Sequence, residues 1–237
     1  MHFQKFIPQL AALAMAAVFT TGFDDAAAAE RSRSLSVSNV DGARQAHASA
    51  SGSGANGSYA RTRNFSTDGN GNGSASRSGN ASTVYGGSAN YQASAYRNVN
   101  GNASRSSSAS VQGAYGGSAN RTANGYRDGS GNANYSYNAS AQGANGGSAS
   151  RTANGYRDGT GNANYNYNAS AEGANGGSAN RSSNFTRNAD GSYSGGRDTE
   201  LTGSQGNTYA GVTEFSNGTL THTGTCTNSA GEVVACR

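Results

Sequence analysis

The sequence predicts an all-β fold built from 30-residue strand-turn-strand repeats, and two observations lead to it. The tetrapeptide Gly-Gly-Ser-Ala recurs every thirty residues, at Gly86, Gly116, Gly146 and Gly176, without an insertion, which is the signature of a repeat array. Between these markers, small or aromatic residues alternate with amide and hydroxyl residues, the period-two pattern of a β-strand. Two architectures fit, a β-solenoid with one repeat per coil and a stacked antiparallel meander. Either could become ordered only on assembly.

Residues 1–29 are predicted to be a secretory signal peptide. Lys5 lies in a short polar start before an apolar stretch over 10–23, and Ala27 and Ala29 match the small-x-small pattern of a cleavage site. The stretch is too short to span a membrane comfortably, although the acidic residues 24 and 25 leave a retained anchor open. Cleavage after Ala29 would leave a chain with no transmembrane segment. We expect that chain to be secreted or held at a bacterial cell surface, with the periplasm as the alternative.

The composition after residue 29 excludes a conventional hydrophobic core. That part of the chain contains no Lys, Met, Pro, Ile or Trp and only three Leu, eight Val and three Phe. So little large apolar surface is typical of disordered chains. The sixteen arginines are nearly balanced by eleven Asp and Glu, so self-repulsion is weak. Low charge with abundant Asn, Ser, Gly and Tyr favours assembly through backbone pairing.

The repeats begin with a divergent unit over 30–55 and continue as five clear units over 56–205. Within a unit, small and aromatic residues occupy odd positions over 133–141, and amide or hydroxyl residues occupy even positions. The segment 128–132, Asp-Gly-Ser-Gly-Asn, has the composition of a turn because Gly accepts positive φ and Asp bonds its own backbone. A second turn is predicted over 143–147, where Asn-Gly is a hairpin signal.

The turn around Ser130 defines a testable register. A three-residue loop centred on Ser130 would pair residues of the two strands that are equally far from Ser130 in the sequence. The expected pairs are Ala119 with Ala141, Arg121 with Ala139 and Ala123 with Tyr137. Other loop lengths would shift this register.

The segment 206–237 is predicted to be a C-terminal cap. Residues 208–216 and 219–227 flank Asn217-Gly218, a strong hairpin pattern. Pairing across this turn would place Phe215 opposite Leu220, Thr213 opposite His222, and Tyr209 near Cys226. Cys226 and Cys236 are predicted to form a disulfide, because two cysteines in an exported chain normally pair. Their spacing does not match a CxxC redox motif or a zinc site.

Catalytic and cofactor sites are not expected. Only two histidines follow residue 29, His47 and His222, and neither lies in a recognisable catalytic constellation. Calcium stays open as an alternative, since Asp and Asn recur in Gly-rich turns at Asp128, Asn132, Asp158 and Asn162. One Asp per repeat supplies few hard oxygen ligands unless neighbouring copies share an ion.

Arginine and tyrosine are the candidate ligand-contacting residues. Residues thirty apart would align into ridges, and Tyr126 and Tyr156 would stand beside Arg127 and Arg157, giving cationic and aromatic platforms for an anionic glycan or a cell surface. The low net charge argues against dedicated nucleic-acid binding. The competing interpretation is that these arginines solvate sheet edges. The candidate residues are Arg121, Tyr126, Arg127, Tyr135, Tyr137, Arg151, Tyr156, Arg157, Tyr165, Tyr167 and Arg181.

Residues 56–205, with strand-turn-strand repeats rich in Gly, Asn, Ser and Tyr behind a predicted signal peptide, resemble curli-type functional-amyloid subunits. The resemblance is one of composition. It implies extracellular matrix fibres formed by self-association. The curli repeat is shorter and is marked by regularly spaced Ser, Gln and Asn. Here only Gln112 and Gln142 recur at one position, and Glu172 replaces the next, so membership does not follow.

Three hypotheses of function result from the sequence. The first is a secreted structural repeat protein that forms β-rich extracellular fibres or a surface matrix, of the biofilm or adhesion type. The second is a monomeric β-solenoid adhesin or glycan-binding module. The third is a disordered secreted spacer.

Overall fold

The computed structural model describes residues 30–236, which form fifteen β-strands and no helix. The predicted signal peptide lies outside the described residues. Most strands of the repeat region have ten residues, and each 30-residue repeat contributes two of them. The strands are β1 Glu30–Val40, β2 Ala43–Gly54, β3 Gly57–Thr67, β4 Gly73–Thr83, β5 Ser88–Arg97, β6 Ala103–Gln112, β7 Ser118–Arg127, β8 Ala133–Gln142, β9 Ser148–Arg157, β10 Ala163–Glu172, β11 Ser178–Arg187, β12 Tyr193–Thr202, β13 Thr208–Ser216, β14 Thr219–Thr227 and β15 Val233–Val234.

The predicted all-β class is confirmed, and of the two architectures the structure has the meander. All fifteen strands form one open sheet in chain order, each antiparallel to the next. Turns of only a few residues join them, and such short connections place consecutive strands side by side in opposite directions. A solenoid would instead stack each residue on its copy thirty positions later.

The register predicted around Ser130 is confirmed. Ala119 pairs with Ala141, Arg121 with Ala139, and Ala123 with Tyr137. The same spacing recurs from strand to strand, so Ala141 also pairs with Ala149 in β9. Residues of the same kind therefore form rows that cross the sheet perpendicular to the strands.

The pairing gives the sheet two faces of different chemistry. From β3 to β13 every pair joins two residues of the same parity, so odd-numbered residues share one face and even-numbered residues the other. We name the odd-numbered side the arginine face and the even-numbered side the hydroxyl face. The parity switches in β2 and β14, where Ala50 lies opposite Arg61 and Cys226 opposite Tyr209.

Two-residue turns close the β1–β2 and β13–β14 hairpins. Asn217 and Gly218 have φ of 46° and 92°, and Asp41 and Gly42 have 50° and 81°. Both central residues of a type I′ turn require positive φ, which Asn, Asp and Gly accept best. The predicted hairpin of β13 and β14 is confirmed, with Phe215 opposite Leu220 and Thr213 opposite His222.

The sheet has no conventional core, as the composition predicted. The buried hydrophobic residues within 30–236 are Ala50, Ala89 and Ala153, while Leu35 and Leu220 remain 72% and 68% exposed. All three alanines lie on the arginine face, beneath longer side chains of neighbouring strands. Backbone pairing between strands, rather than apolar burial, therefore defines the fold.

The predicted disulfide is present, joining Cys226 and Cys236 with Cα atoms 5.3 Å apart. It holds β15 against the end of β14, where Val234 pairs with Cys226 and Val233 with Thr227. Among the strands that the structure describes, the rest of β14 pairs with β13 alone. Within the described part of the chain, no helix is long and apolar enough to cross a membrane.

Candidate functional site

Every strand arginine of the described chain lies on the arginine face. Pairing and parity place them there from the first strand to the twelfth, and the same rules place no Asp or Glu of residues 30–236 on that face. The arginines are Arg31, Arg33, Arg44, Arg61, Arg63, Arg77, Arg97, Arg105, Arg121, Arg127, Arg151, Arg157, Arg181, Arg187 and Arg197.

The carboxylates are placed elsewhere. The strand carboxylates are on the hydroxyl face, namely Glu30, Glu172, Asp198, Glu200 and Glu214. The others lie in turns, at Asp41, Asp68, Asp128, Asp158, Asp190 and Glu232. A modest net charge therefore conceals a strongly polarised sheet with one cationic face.

Sequence reasoning named only some of these arginines. It missed Arg61, Arg63, Arg77 and Arg105 among others, because it compared copies thirty residues apart rather than all positions of one parity. The available signal was that every arginine between Arg61 and Arg197 has an odd number.

A cluster of tyrosine and arginine occupies the centre of this face. The guanidinium carbon of Arg151 lies 5.3 Å from the ring centroid of Tyr137 and 5.0 Å from that of Tyr167. That of Arg181 lies 5.8 Å from Tyr167. Ala153, 2% exposed, pairs with both tyrosines and lies between them. Cation–π contacts of this kind stabilise a guanidinium close to the sheet.

Arg121 and Arg151 lie in one row across the centre of the arginine face, both opposite Ala139, and both side chains are partly buried. The Nε atoms of Arg121 and Arg151 are inaccessible to solvent and have no hydrogen-bond partner. Burial, and then the neighbouring Tyr137 and Tyr165, raises the pKa of Tyr135. Like any tyrosine hydroxyl at neutral pH, that of Tyr135 can donate a hydrogen bond.

Aromatic rings on the arginine face lie across glycines of neighbouring strands. The ring of Tyr165 reaches Gly155, and the ring of Phe215 covers Gly195. Phe215 also stacks on Phe185, with ring centroids 6.0 Å apart. A glycine has no Cβ to hold the ring away from the backbone, so such pairs stay close and flat.

The hydroxyl face is covered by cross-strand hydrogen bonds between short polar side chains. Thr62 and Ser78 hydroxyl oxygens are 2.8 Å apart, and those of Ser150 and Ser170 are 2.6 Å apart. Tyr126 and Tyr156 also lie on this face, each 47% exposed, and flank Asn134 in one row. The groove at these tyrosines has a volume of about 500 Å³.

The candidate residues are therefore divided between the faces. Tyr126 and Tyr156 lie on the hydroxyl face, whereas Arg127 and Arg157 lie on the arginine face, because neighbouring residues of a strand point to opposite faces. The arginine face brings together Arg121, Tyr135, Tyr137, Arg151, Tyr165, Tyr167 and Arg181 in the central rows, with Arg127 and Arg157 at the strand ends.

No protein-family model, curated protein or solved structure matches the chain. Function is therefore inferred from the faces, edges and turns of the sheet. Within 30–236 there is no group of three or more His, Cys, Asp and Glu side chains that could hold a metal ion. The two histidines bond to neighbouring strands, His47 Nδ1 to Asn64 Oδ1 at 2.6 Å and His222 Nδ1 to Thr213 Oγ1 at 2.8 Å.

The turn residues considered for calcium bond to one another. Asp128 Oδ1 accepts from the backbone N–H of Ser130 and of Asn132, at 3.0 and 2.9 Å, and its Oδ2 accepts from Asn132 Nδ2 at 2.7 Å. Asn132 Oδ1 accepts from the N–H of Gly159 in the next turn at 3.0 Å. These oxygens therefore organise a turn and link it to its neighbour.

Asp158 gives this turn network a pH signature. Hydrogen bonds from the side chains of Asn162 and then Thr160 lower the pKa of Asp158 from 3.8 to about 2. A folded pKa below the unfolded value means that the ionised group stabilises the turn above about pH 3.8, and that this contribution is lost as the pH falls toward 2. We expect carbon-detected NMR titration to give Asp158 a midpoint near 2.

Asn98 supplies the matched control for this prediction. Its Oδ1 accepts from the N–H of Asn100 and of Asn102, at 3.1 and 3.0 Å, in the position that Asp158 has two repeats later. Asp158→Asn should therefore keep the turn and remove its acid sensitivity, measured as hydrogen exchange of the Thr160 amide. A midpoint near 3.8 in the original chain would contradict the network.

Proposed function

We propose that this chain is a secreted structural repeat protein that joins with further copies through its sheet edges, forming β-rich extracellular fibres or a surface matrix. One observation carries the proposal: residues 30–236 form a single open sheet, and among these residues no strand pairs with the outer edge of its first strand. Unpaired strand edges are templates for pairing with another chain. Secretion rests on the predicted signal peptide and is supported by the disulfide, since such bonds persist in oxidising compartments.

The outer edge of β1 is long and accessible. Strand β1 has eleven residues, all exposed, and within residues 30–236 its one pairing partner is β2. Soluble proteins usually protect such an edge with proline, a bulge, a covering loop or charged side chains. Here Glu30, Arg31 and Arg33 are the charged residues, all near one end, while residues 34–40 carry only Ser, Leu, Val and Asn.

The second edge of the sheet is suited to receive β1 of another copy. Because the strands alternate in direction, β14 runs opposite to β1. A second copy that added its β1 antiparallel to β14 would continue the same alternation, and a suitable register would also continue both faces. Strand β15 pairs with β14 at Cys226 and Thr227. The described strands therefore leave the outer edge of β14 without a pairing partner from Thr219 to Thr225. Head-to-tail addition of this kind has no closure and gives filaments.

Two neighbouring proline substitutions test this edge. N–H groups of an edge strand point alternately to the partner strand and to solvent, so Ser34→Pro and Leu35→Pro remove one N–H of each kind. We expect the variant that loses the outward N–H to keep the β signal of fresh dilute samples while its growth into sedimenting assemblies slows about tenfold. Its neighbour should lose part of its intramolecular sheet.

Circular dichroism and sedimentation, recorded on fresh and aged samples across a dilution series, distinguish the outcomes. Ser34→Thr is the control, since it keeps the N–H group and should assemble at the original rate. If both proline variants assemble like the original chain, the β1 edge is not the growing end. A β signal that never leads to sedimenting material, at any concentration, would contradict assembly itself and favour a folded monomer.

A further inference from the structure

The arginine face has positive charge that no carboxylate of residues 30–236 balances on the same face. Its fifteen arginines share the face with no carboxylate of residues 30–236, and the hydroxyl face has only five. Stacking the arginine face of one copy on the hydroxyl face of the next would leave most guanidinium groups without a counter-charge. Stacking two arginine faces would oppose like charges. The occupant that this face fits is therefore an external polyanion.

The spacing of the central arginines points to one kind of polyanion. Arg121, Arg151 and Arg181 lie in β7, β9 and β11, in a row with Ala139 and Ala169 between them. Two strand spacings place neighbouring arginines about 9.6 Å apart along a line perpendicular to the strands. That distance is close to the length of one disaccharide in an extended glycan chain. A glycan with one carboxylate per disaccharide would present its charges at the same interval.

The local environment of this row also favours carboxylates. Planar guanidinium groups bind carboxylates through two parallel hydrogen bonds, which lysine, absent after residue 29, cannot do. The Nε atoms of Arg121 and Arg151 are covered, so both side chains are held close to the sheet and lose little freedom on binding. The row is also distant from the turn carboxylates, because six residues separate Arg121 from Arg127, about 20 Å along the strand.

The tyrosines of the face make nucleic acid a less suitable occupant. Binding of single-stranded nucleic acid relies on aromatic rings whose faces are free for bases to stack on. The rings of Tyr137 and Tyr167 already have guanidinium groups over them. The face also lacks the lysines that commonly contact phosphates.

We propose that the arginine face binds an acidic polysaccharide, with one carboxylate per disaccharide, that lies across the strands along the row of Arg121, Arg151 and Arg181. The inference goes beyond the assembly proposed above and does not depend on it, because a single sheet already presents the row. In an extended filament the rows of successive copies would be continuous, so a long glycan chain could bridge many copies.

Two triple variants test the row. The first replaces Arg121, Arg151 and Arg181 by Gln, and the second replaces Arg127, Arg157 and Arg187, which have the same strands and face but lie beside the turn carboxylates. The probe is a hyaluronan fragment, which alternates one carboxylate-bearing and one neutral sugar. Fresh, dilute chain is used, and sedimentation confirms that it has not assembled. We expect the first variant to lose about tenfold or more in affinity, and the second to lose clearly less.

Two further ligands, a neutral dextran and single-stranded DNA, test the chemistry of the ligand, and circular dichroism tests the fold of each variant. A neutral dextran should not bind, and binding of hyaluronan should weaken as salt is raised. Circular dichroism confirms that each variant keeps its sheet, and assembly is scored separately on aged samples. Equal losses in the two triple variants would overturn the assignment of the row. Tighter binding of single-stranded DNA than of hyaluronan would overturn the assignment of the ligand, and absence of hyaluronan binding would overturn the proposal.

Discussion

Replacing Gly195 by alanine should destabilise the sheet by about 1 to 3 kcal/mol, the cost of inserting a methyl group where no space exists. A Cβ at Gly195 would overlap the ring of Phe215 and the carbonyl oxygen of Asn184. The ring cannot simply rise, because it stacks on Phe185 and lies 6.4 Å from the ring of Tyr193. Urea unfolding of fresh, dilute protein, followed by circular dichroism, measures the loss.

Gly125 is the matched control, a strand glycine on the same face. A Cβ there meets nothing closer than the carbonyl oxygen of Asn134 at 3.8 Å. Gly125→Ala should therefore be neutral or stabilise by roughly 0.5 to 1 kcal/mol, since alanine loses less backbone entropy than glycine on folding. Equal stabilities for the two variants would show that the aromatic ring does not depend on the missing Cβ.

The strand registers could be predicted where turn chemistry and side-chain alternation agree. Asn217-Gly218 specifies a two-residue turn, so the pair Phe215 with Leu220 followed from the sequence. The pair Ala119 with Ala141 followed only for a three-residue loop centred on Ser130, a loop length that the sequence left open and the structure has. The choice between solenoid and meander could not be made, because both repeat after thirty residues and both keep the same alternation. Turn hydrogen bonds such as that from the Asp128 N–H to the Asn132 carbonyl, at 2.9 Å, decide it by reversing the chain.

The candidate site was only partly predictable for a different reason. Comparing positions thirty residues apart identifies Arg121, Arg151 and Arg181, but it cannot show which residues of intervening strands share their face. That requires the register, which places Tyr137 between Ala123 and Ala153 and brings Arg151 over its ring. Sequence neighbours such as Tyr126 and Arg127 were expected side by side, whereas the pleat of a strand separates them.

The polarised sheet also shows why net charge alone was an incomplete guide. The net charge sums arginines and carboxylates over the whole chain, in which their numbers nearly balance. A ligand, however, contacts one face of the sheet and meets only the charges on that face. Since acidic residues within 30–236 are confined to the turns and the hydroxyl face, a ligand on the arginine face meets guanidinium groups with no carboxylate on that same face. The parity of charged positions is therefore the more informative quantity for a single-layer sheet.

Removing the disulfide should weaken the C-terminal end while accelerating assembly. The bridge between Cys226 and Cys236 closes a short loop, and its loss should cost about 2 to 3 kcal/mol by loop-entropy arguments. Strand β15 pairs through only two residues, and so short a strand is not stable without a covalent constraint. Its release would free the covered end of β14, lengthening the edge that a second copy can join.

The double variant Cys226→Ser, Cys236→Ser measures both effects. Hydrogen exchange at Thr227 should become faster, and the lag before sedimenting assemblies appear should shorten. Reduction of the original chain is a matched control, since these are the only cysteines of the sequence, and it should reproduce the variant. A longer lag with faster exchange at Thr227 would mean that growth requires an ordered C-terminal end, which would assign the disulfide to the assembling surface rather than to its protection.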